Sequence, residues 1–288
     1  IEWKRKSIRM RFDLSSSAFP YAAMSNVHDV RIRSASLWFL PVETRVPLKF
    51  GTETLTSVTC ARASIRVAGR DGTESEGWGE TPLSVQWVWP SDASYTERHE
   101  ALMDFTTKLC SAWARFDSEG HALEIGYDFL SILPAFLKNY NQGRPADAPM
   151  PWLAALVCAS AFDLALHDAY GKANGCSTYQ TYGPQHLNRV LADFIEPTEG
   201  ACCDLTSKSP ADFLDHSPRR QLPVWHLVGG LDPLNRRELN GDEPDDGYPM
   251  HLEDWIDRDG LKCLKVKLRG NDQSWDYTRL TAVGDISN

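Results

Sequence analysis

Gly260-Leu-Lys-Cys-Leu-Lys-Val-Lys-Leu-Arg-Gly270 decides how this chain is read. With a period of two it puts Leu264, Val266 and Leu268 on one side and Cys263, Lys265 and Lys267 on the other. An ordinary half-buried strand turns such a lysine face to water. In a parallel barrel strand, helices cover the aliphatic face and the lysines point into the barrel mouth.

Working outward, Arg31-Ile-Arg-Ser-Ala-Ser-Leu-Trp-Phe-Leu-Pro41 has the β-branched and aromatic content of a strand, and Leu55 to Ala68 is a second. Gly69-Arg-Asp-Gly72 supplies a tight turn into a return strand from Thr73 to Glu80, giving a three-stranded antiparallel meander. Between the first two strands, Pro41 to Thr54 holds Pro41, Pro47 and Gly51 and reads as a loop. Glu80 reads as a charge at a strand end rather than a catalytic carboxylate. Helical patterns follow at Tyr95 to Trp113, at Ala122 to Tyr140 with an interruption near Pro134, and at Trp152 to Tyr170. In the last, Leu153, Leu156, Val157, Ala161, Leu164 and Ala165 form the expected buried stripe, and Gly171 and Gly175 supply the stop.

Bulk properties narrow the function. The chain has 288 residues, with 30 Lys plus Arg against 39 Asp plus Glu and a formal charge of -9, which argues against a nucleic-acid partner. No apolar run reaches the length needed to span a bilayer, the most apolar stretch, Pro151 to Leu166, containing Asp163, and Ile1-Glu-Trp-Lys-Arg-Lys6 lacks the apolar core of a signal peptide. A cytoplasmic location without a membrane partner is therefore expected. The 7 cysteines show no Cys-x-x-Cys spacing, so neither a zinc ribbon nor a disulfide framework is indicated.

Gly-x-x-x-x-Lys265-Val266-Lys267-x-x-Gly270 resembles the second barrel strand of the enolase superfamily, in its mandelate racemase and muconate lactonizing branch. Three upstream stretches resemble that branch's capping domain and occur in the same order: 31–41, Gly77-Trp-Gly-Glu-Thr-Pro82, and Ala161-Phe-Asp-Leu-Ala-Leu-His-Asp-Ala-Tyr-Gly-Lys-Ala-Asn-Gly175. The fold implied is an α+β capping domain, the meander plus helices, followed by an incomplete α/β (β/α) TIM-type barrel. The domains expected are an irregular leader at 1–29, the cap at 30–186, and the first barrel strands and helices at 187–288 with an insertion at about 197–259. Arg189-Val-Leu-Ala-Asp-Phe-Ile195 and Leu222-Pro-Val-Trp-His-Leu-Val-Gly-Gly230 can each supply the first barrel strand. The acidic tract Gly241-Asp-Glu-Pro-Asp-Asp-Gly247 lacks calcium-loop spacing and reads as a solvated loop.

The resemblance implies an isomerase or lyase that removes the proton next to a carboxylate, with Mg²⁺ stabilising the enediolate: a cycloisomerase, a racemase or epimerase, or a dehydratase. Lys267 would be the base, and Lys265, on the same face, a neighbouring cation that disfavours its protonation or a contact for the substrate carboxylate. Lys49, Phe50 and Thr52 become candidates for substrate binding from the cap loop, Asp163 and Asp168 for holding the cap against the barrel, and His167 reads as structural. The partner implied is a small carboxylate substrate, with a homo-oligomer for the complete protein. At about 30 residues per βα unit, the first metal ligand would fall near position 297, so Asp272, Asp276 and Asp285 come too early and no metal residue is assigned. The expectation is a truncated segment, inactive by itself. The rival is a non-catalytic binding or assembly module built on an enolase-like cap.

Overall fold

The alternation that begins at Val30 does not stop at Pro41. In a computed structural model of the chain, which describes residues 26–50, 53–197, 204–215, 217 and 219–287, strand β1 runs through both prolines as Val30–Phe50. Strand β2 takes up again at Glu53–Gly69. The expected loop at 41–54 is therefore strand over most of its length. Proline is tolerated in a strand with an unpaired edge, and the short strand that flanks β1 on its far side pairs only with Val30 and Arg31.

Contacts divide the chain into two units, Ile1–Pro41 with Thr59–Asp215, and Val42–Val58 with His216–Asn288. In the first, β2 turns at Gly69–Gly72 into β3 (Glu74–Pro82), with Ala68 opposite Glu74 and Gly72 at a φ of 82° that favours glycine. The expected meander is present. The two-residue strand β4 (Glu119–Gly120) adds to it, in the order β3-β2-β1-β4. Alternate β2 residues Ala61, Ala63, Ile65 and Val67 are fully buried, while Arg62 reaches across to Glu80 at 2.6 Å. Glu80 is thus a cross-strand ion-pair partner.

Helix α1 (Val85–Val88) is a single turn. Helix α2 (Tyr95–Trp113) starts where the sequence indicates, at a capping box: Ser94 Oγ accepts from Glu97 N–H at 3.2 Å and Glu97 Oε2 accepts from Ser94 N–H at 3.0 Å. Helix α3 (Ala122–Asn141) continues past Pro134, and its Phe129 stacks on Trp113 of α2 at 3.8 Å between centroids.

Helix α4 (Trp152–Ala173) outruns the expected stop at Gly171 and ends before Gly175, which has a φ of 64°. Contrary to the expectation that no apolar run is long enough, its length and composition would suffice to cross a membrane, yet more than half of its most apolar stretch is buried inside the unit. The buried face keeps Val157, Ala161 and Ala165 of the expected stripe but not its outer leucines. Leu153 and Leu164 are exposed, whereas Ala154, Ala161, Ala165 and Ala169 are fully buried. The reason lies in β3: a Cβ on Gly77 would strike the backbone of Ala165 and Ala169, and one on Gly79 the backbone of Ala161 and Ala165, closer than any real side chain approaches. Trp78 N–H, between the two glycines, donates to Asp168 Oδ2 at 2.8 Å. Asp168 accordingly ties helix to sheet within this unit. Asp163 faces Gly126 of α3 and lies 4.0 Å from His167, which meets the Tyr182 hydroxyl at 3.1 Å.

The candidate strand at 189–195 is absent; Leu191–Asp193 is a 3-10 turn. Its start is held by α3, where Glu124 Oε1 accepts from Asn188 N–H at 2.6 Å and Arg189 N–H at 2.8 Å and the Arg189 guanidinium pairs with both oxygens of Asp128, and its next amides go elsewhere, Leu191 N–H to Lys208 O at 2.7 Å and Ala192 N–H to Leu205 O at 3.2 Å. The second unit supplies the parallel pair instead. Strand β5 (His226–Val228) lies beside β6 (Leu264–Val266), joined through helix α5 (Leu252–Asp259), and helix α6 (Gln273–Ser287) follows. This β-α-β-α segment is the repeat from which a (β/α) barrel is built. Its core is small, with Val228, Leu234, Leu252 and Val283 buried.

Two predictions follow from the first unit. Gly77→Ala or Gly79→Ala should cost about 3 kcal/mol or more in urea unfolding, because neither backbone can retreat; a loss within about 0.5 kcal/mol would mean that helix and strand are not in backbone contact. His121, fully buried at the start of α3, accepts Leu123 N–H at Nδ1 (3.0 Å) and donates from Nε2 to Thr181 Oγ1 (3.0 Å), so the neutral ring is required. Burial pushes its pKa down to about 3. The unfolded chain then binds the extra proton, so stability is full above the ordinary histidine value and falls as pH drops from about 6.5 toward 3, by at most about 1.4 kcal/mol per pH unit. His121→Asn, which keeps a capping acceptor, should flatten that slope in denaturation curves between pH 7 and 5.

Candidate functional site

The lysine strand meets its neighbour in register: His226 opposite Leu264, Leu227 opposite Lys265 and Val228 opposite Val266. His226 N–H donates to Cys263 O at 3.0 Å, and Lys267 N–H donates to Val228 O at 2.9 Å. Lys267 therefore stands just past the carboxyl end of β6, hydrogen-bonded to the last residue of β5. The glycines that frame the stretch have backbone reasons. Gly260 closes α5 at a φ of 58°, and Gly270 turns the chain toward α6 at 75°.

The two lysines differ in surroundings. Lys265 is exposed, whereas Lys267 is half-buried and its Nζ donates to Lys49 O at 3.1 Å. Leu264 and Val266 pack on the small core as expected, but Leu268 lies beyond the strand and is 51% exposed. A cavity of about 1060 Å³ opens at the carboxyl ends of the strands, lined by Gly230 and Leu231 after β5, by Lys267, Arg269 and Asp272 after β6, and by Lys49 of β1. Loops at the carboxyl ends of parallel strands are where β/α folds place their chemistry. Three cationic residues against one carboxylate favour an anionic occupant there. Of the cap-loop candidates, Lys49 reaches this cavity and Phe50 ends β1, while Thr52 lies outside the described residues.

What holds the two loops was not foreseen. Asp276, in the first turn of α6, accepts from Arg269 N–H at 2.7 Å and Gly270 N–H at 2.9 Å, and Asp272 accepts from Trp275 N–H at 3.0 Å. One turn on, buried Arg279 donates to Gly229 O at 2.6 Å and to Asp232 O at 2.7 Å, which pins the loop after β5. Its Nε has no partner, and burial lowers its pKa. An acidic first turn after Gly270 is a readable cap signal; nothing in the sequence marks Arg279.

The acidic tract is also more than a solvated loop. Asp246 holds the Arg45 guanidinium through both oxygens, at 2.6 and 2.8 Å, and that hydrogen bonding draws its pKa down to about 2. Among the described residues, no three His, Cys, Asp or Glu side chains gather as metal donors. The described cysteines Cys60, Cys110, Cys158, Cys176 and Cys263 are free thiols.

No family model and no curated protein matches this chain. Solved structures do. The L-talarate/galactarate dehydratase of Salmonella typhimurium LT2, liganded with Mg and L-lyxarohydroxamate, is 16% identical with a TM-score of 0.49 over 96% of this chain and 53% of its own. The L-Ala-D/L-Glu epimerase of Bacillus subtilis is 15% identical, with a TM-score of 0.45 over 90% of this chain and 51% of its own. The N-succinyl Arg/Lys racemase of Bacillus cereus ATCC 14579 is 15% identical, with a TM-score of 0.47 over 90% and 49%. The chain spans about half the length of the solved structures it matches.

Because Asp276 carries two loop amides, Asp276→Ala should destabilise the second unit by about 1–3 kcal/mol and speed hydrogen exchange at Arg269 and Gly270, with Asp276→Asn intermediate. Unchanged exchange at those amides would show that the loop is held by something else.

Proposed function

We propose that this chain is part of an enolase-superfamily enzyme of the mandelate racemase and muconate lactonizing branch, acting as an isomerase or lyase on a small carboxylate. The observation that carries the reading is the position of Lys267, one residue past β6 and lining an open cavity where two parallel strands end. In its unprotonated form Lys267 takes the proton from the carbon next to the substrate carboxylate, while Lys49 and Arg269 draw the carboxylate in. Lys265, on the same side of the strand, adds positive charge nearby. Its exposure makes it the outer of the two lysines.

A carbon acid next to a carboxylate needs its developing oxyanion stabilised, and in this branch Mg²⁺ supplies that. The described residues do not fit a Mg²⁺ site. Asp272 and Asp276 already serve backbone amides, and no acidic cluster stands beside Lys267. No step is therefore assigned to the metal within this chain.

The test is wash-in of solvent deuterium at the α-carbon, followed by NMR over a panel of hydroxy acids and acylated amino acids with the full-length protein. The wild type should exchange at least one of them, and Lys267→Met should slow that exchange by about 10²–10⁴-fold. Exchange at the wild-type rate in the variant would remove Lys267 from the chemistry. Absence of exchange with every acid, together with saturable binding of one of them, would favour the non-catalytic binding module.

A further inference from the structure

A second cavity, of about 550 Å³, lies in the same unit and has no part in the chemistry proposed above. Leu227 and Val228 of β5 and Leu252 and Trp255 of α5 give it an apolar lining, and the His226 ring packs on Trp255 at 5.4 Å between centroids. Its polar edge is acidic, with Asp232, Asp242 and Glu243. Arg45 is the cation of the lining, and its charge is already matched: Asp246 takes it bidentately, and the carbonyls of Tyr248 and Pro249 accept two further N–H groups at 3.1 and 3.2 Å. Glu243 accepts Asn240 N–H and Gly241 N–H, and these backbone hydrogen bonds hold its carboxyl below the usual range. Asp232 uses Oδ2 on Gly229 N–H at 2.6 Å, leaving Oδ1 for another donor.

Size, an apolar body with an aromatic ring, and an acidic edge that the lining's own Arg45 does not neutralise together specify a ligand. We propose that this cavity binds a small amphipathic amine, its apolar part against Trp255 and its ammonium group at the carboxylates of Asp232 and Asp242. The ammonium gains charge-assisted hydrogen bonds at the acids, and a carboxylate ligand of the same shape meets repulsion there. The assignment does not rest on the Lys267 chemistry. The two cavities share Leu231, in the loop that Arg279 pins after β5.

The experiment uses the complete chain with phenethylamine as probe and phenylacetate as its charge-reversed counterpart, by calorimetry and saturation-transfer NMR. Phenethylamine should bind saturably, and phenylacetate at least about tenfold more weakly. The double variant Asp232→Asn with Asp242→Asn should weaken the amine by about tenfold or more; its asparagine oxygen still accepts Gly229 N–H, so the loop is kept. Trp255→Ala should abolish binding. Should that variant fail to fold, Trp255→Phe should bind with a changed enthalpy, and phenethylamine resonances should receive saturation from the substituted ring. Lys267→Met should leave the amine affinity unchanged. No saturable binding, equal affinity for phenylacetate, indifference to the double variant, or loss of binding in Lys267→Met would each overturn the assignment.

Discussion

Everything in the first unit depends on how closely β3 and α4 approach. Gly77 and Gly79 remove the side chains that would hold the strand away, and Ala161, Ala165 and Ala169 do the same on the helix, so backbone meets backbone. Such an approach gains dispersion contacts along the whole crossing but would strand polar groups if none were matched. Asp168 matches one by accepting Trp78 N–H, and Lys172 closes the arrangement by donating to Asp168 at 2.7 Å and to Glu76 O at 3.3 Å. The large side chains then fill the other side of the helix layer, where Trp113, Phe129 and Phe162 stack.

The second unit is built on a different balance. With so few buried apolar residues, its strand ends are held by polar contacts from α6 to main chain. One helix thus fixes both loops of the candidate site: Asp276 the loop after β6, and Arg279 the loop after β5. A buried guanidinium is costly unless its donors are met, and two carbonyls meet part of that cost. The lysine that carries the proposed chemistry is set by backbone pairing to Val228 and by its own bond to Lys49 O.

How much was legible varied with the range of the interaction. Tyr95–Trp113 was readable because its capping box is local, and the meander because Gly69–Gly72 encodes its own turn. The lysine strand was readable from period two and its flanking glycines. Pro41 and Pro47 misled because proline breaks strands only where its missing N–H is needed, and sequence does not show which edge is open. In the helix stripe Val157, Ala161 and Ala165 were legible, but Leu153 and Leu164 misled, because against the glycine strand small size rather than apolarity decides which residues fit. Residues 189–195 resemble a strand in composition, but Arg189 gives its amide to Glu124 and Leu191 and Ala192 give theirs to the carbonyls of Lys208 and Leu205, while Arg279 acts on a loop about fifty residues away. Contacts of that range leave no periodic trace.

The strand-to-helix crossing also imposes an order on assembly. Trp78 and Asp168 are separated by 90 residues, so the glycine strand leaves the ribosome long before the helix that covers it. At about 5–20 residues per second, the meander waits for several seconds with its alanine-lined partner unmade. During that interval the face carrying Ile65 and Val67 is bare, which ties the folding speed of the first unit to a non-local closure rather than to the hairpin turns.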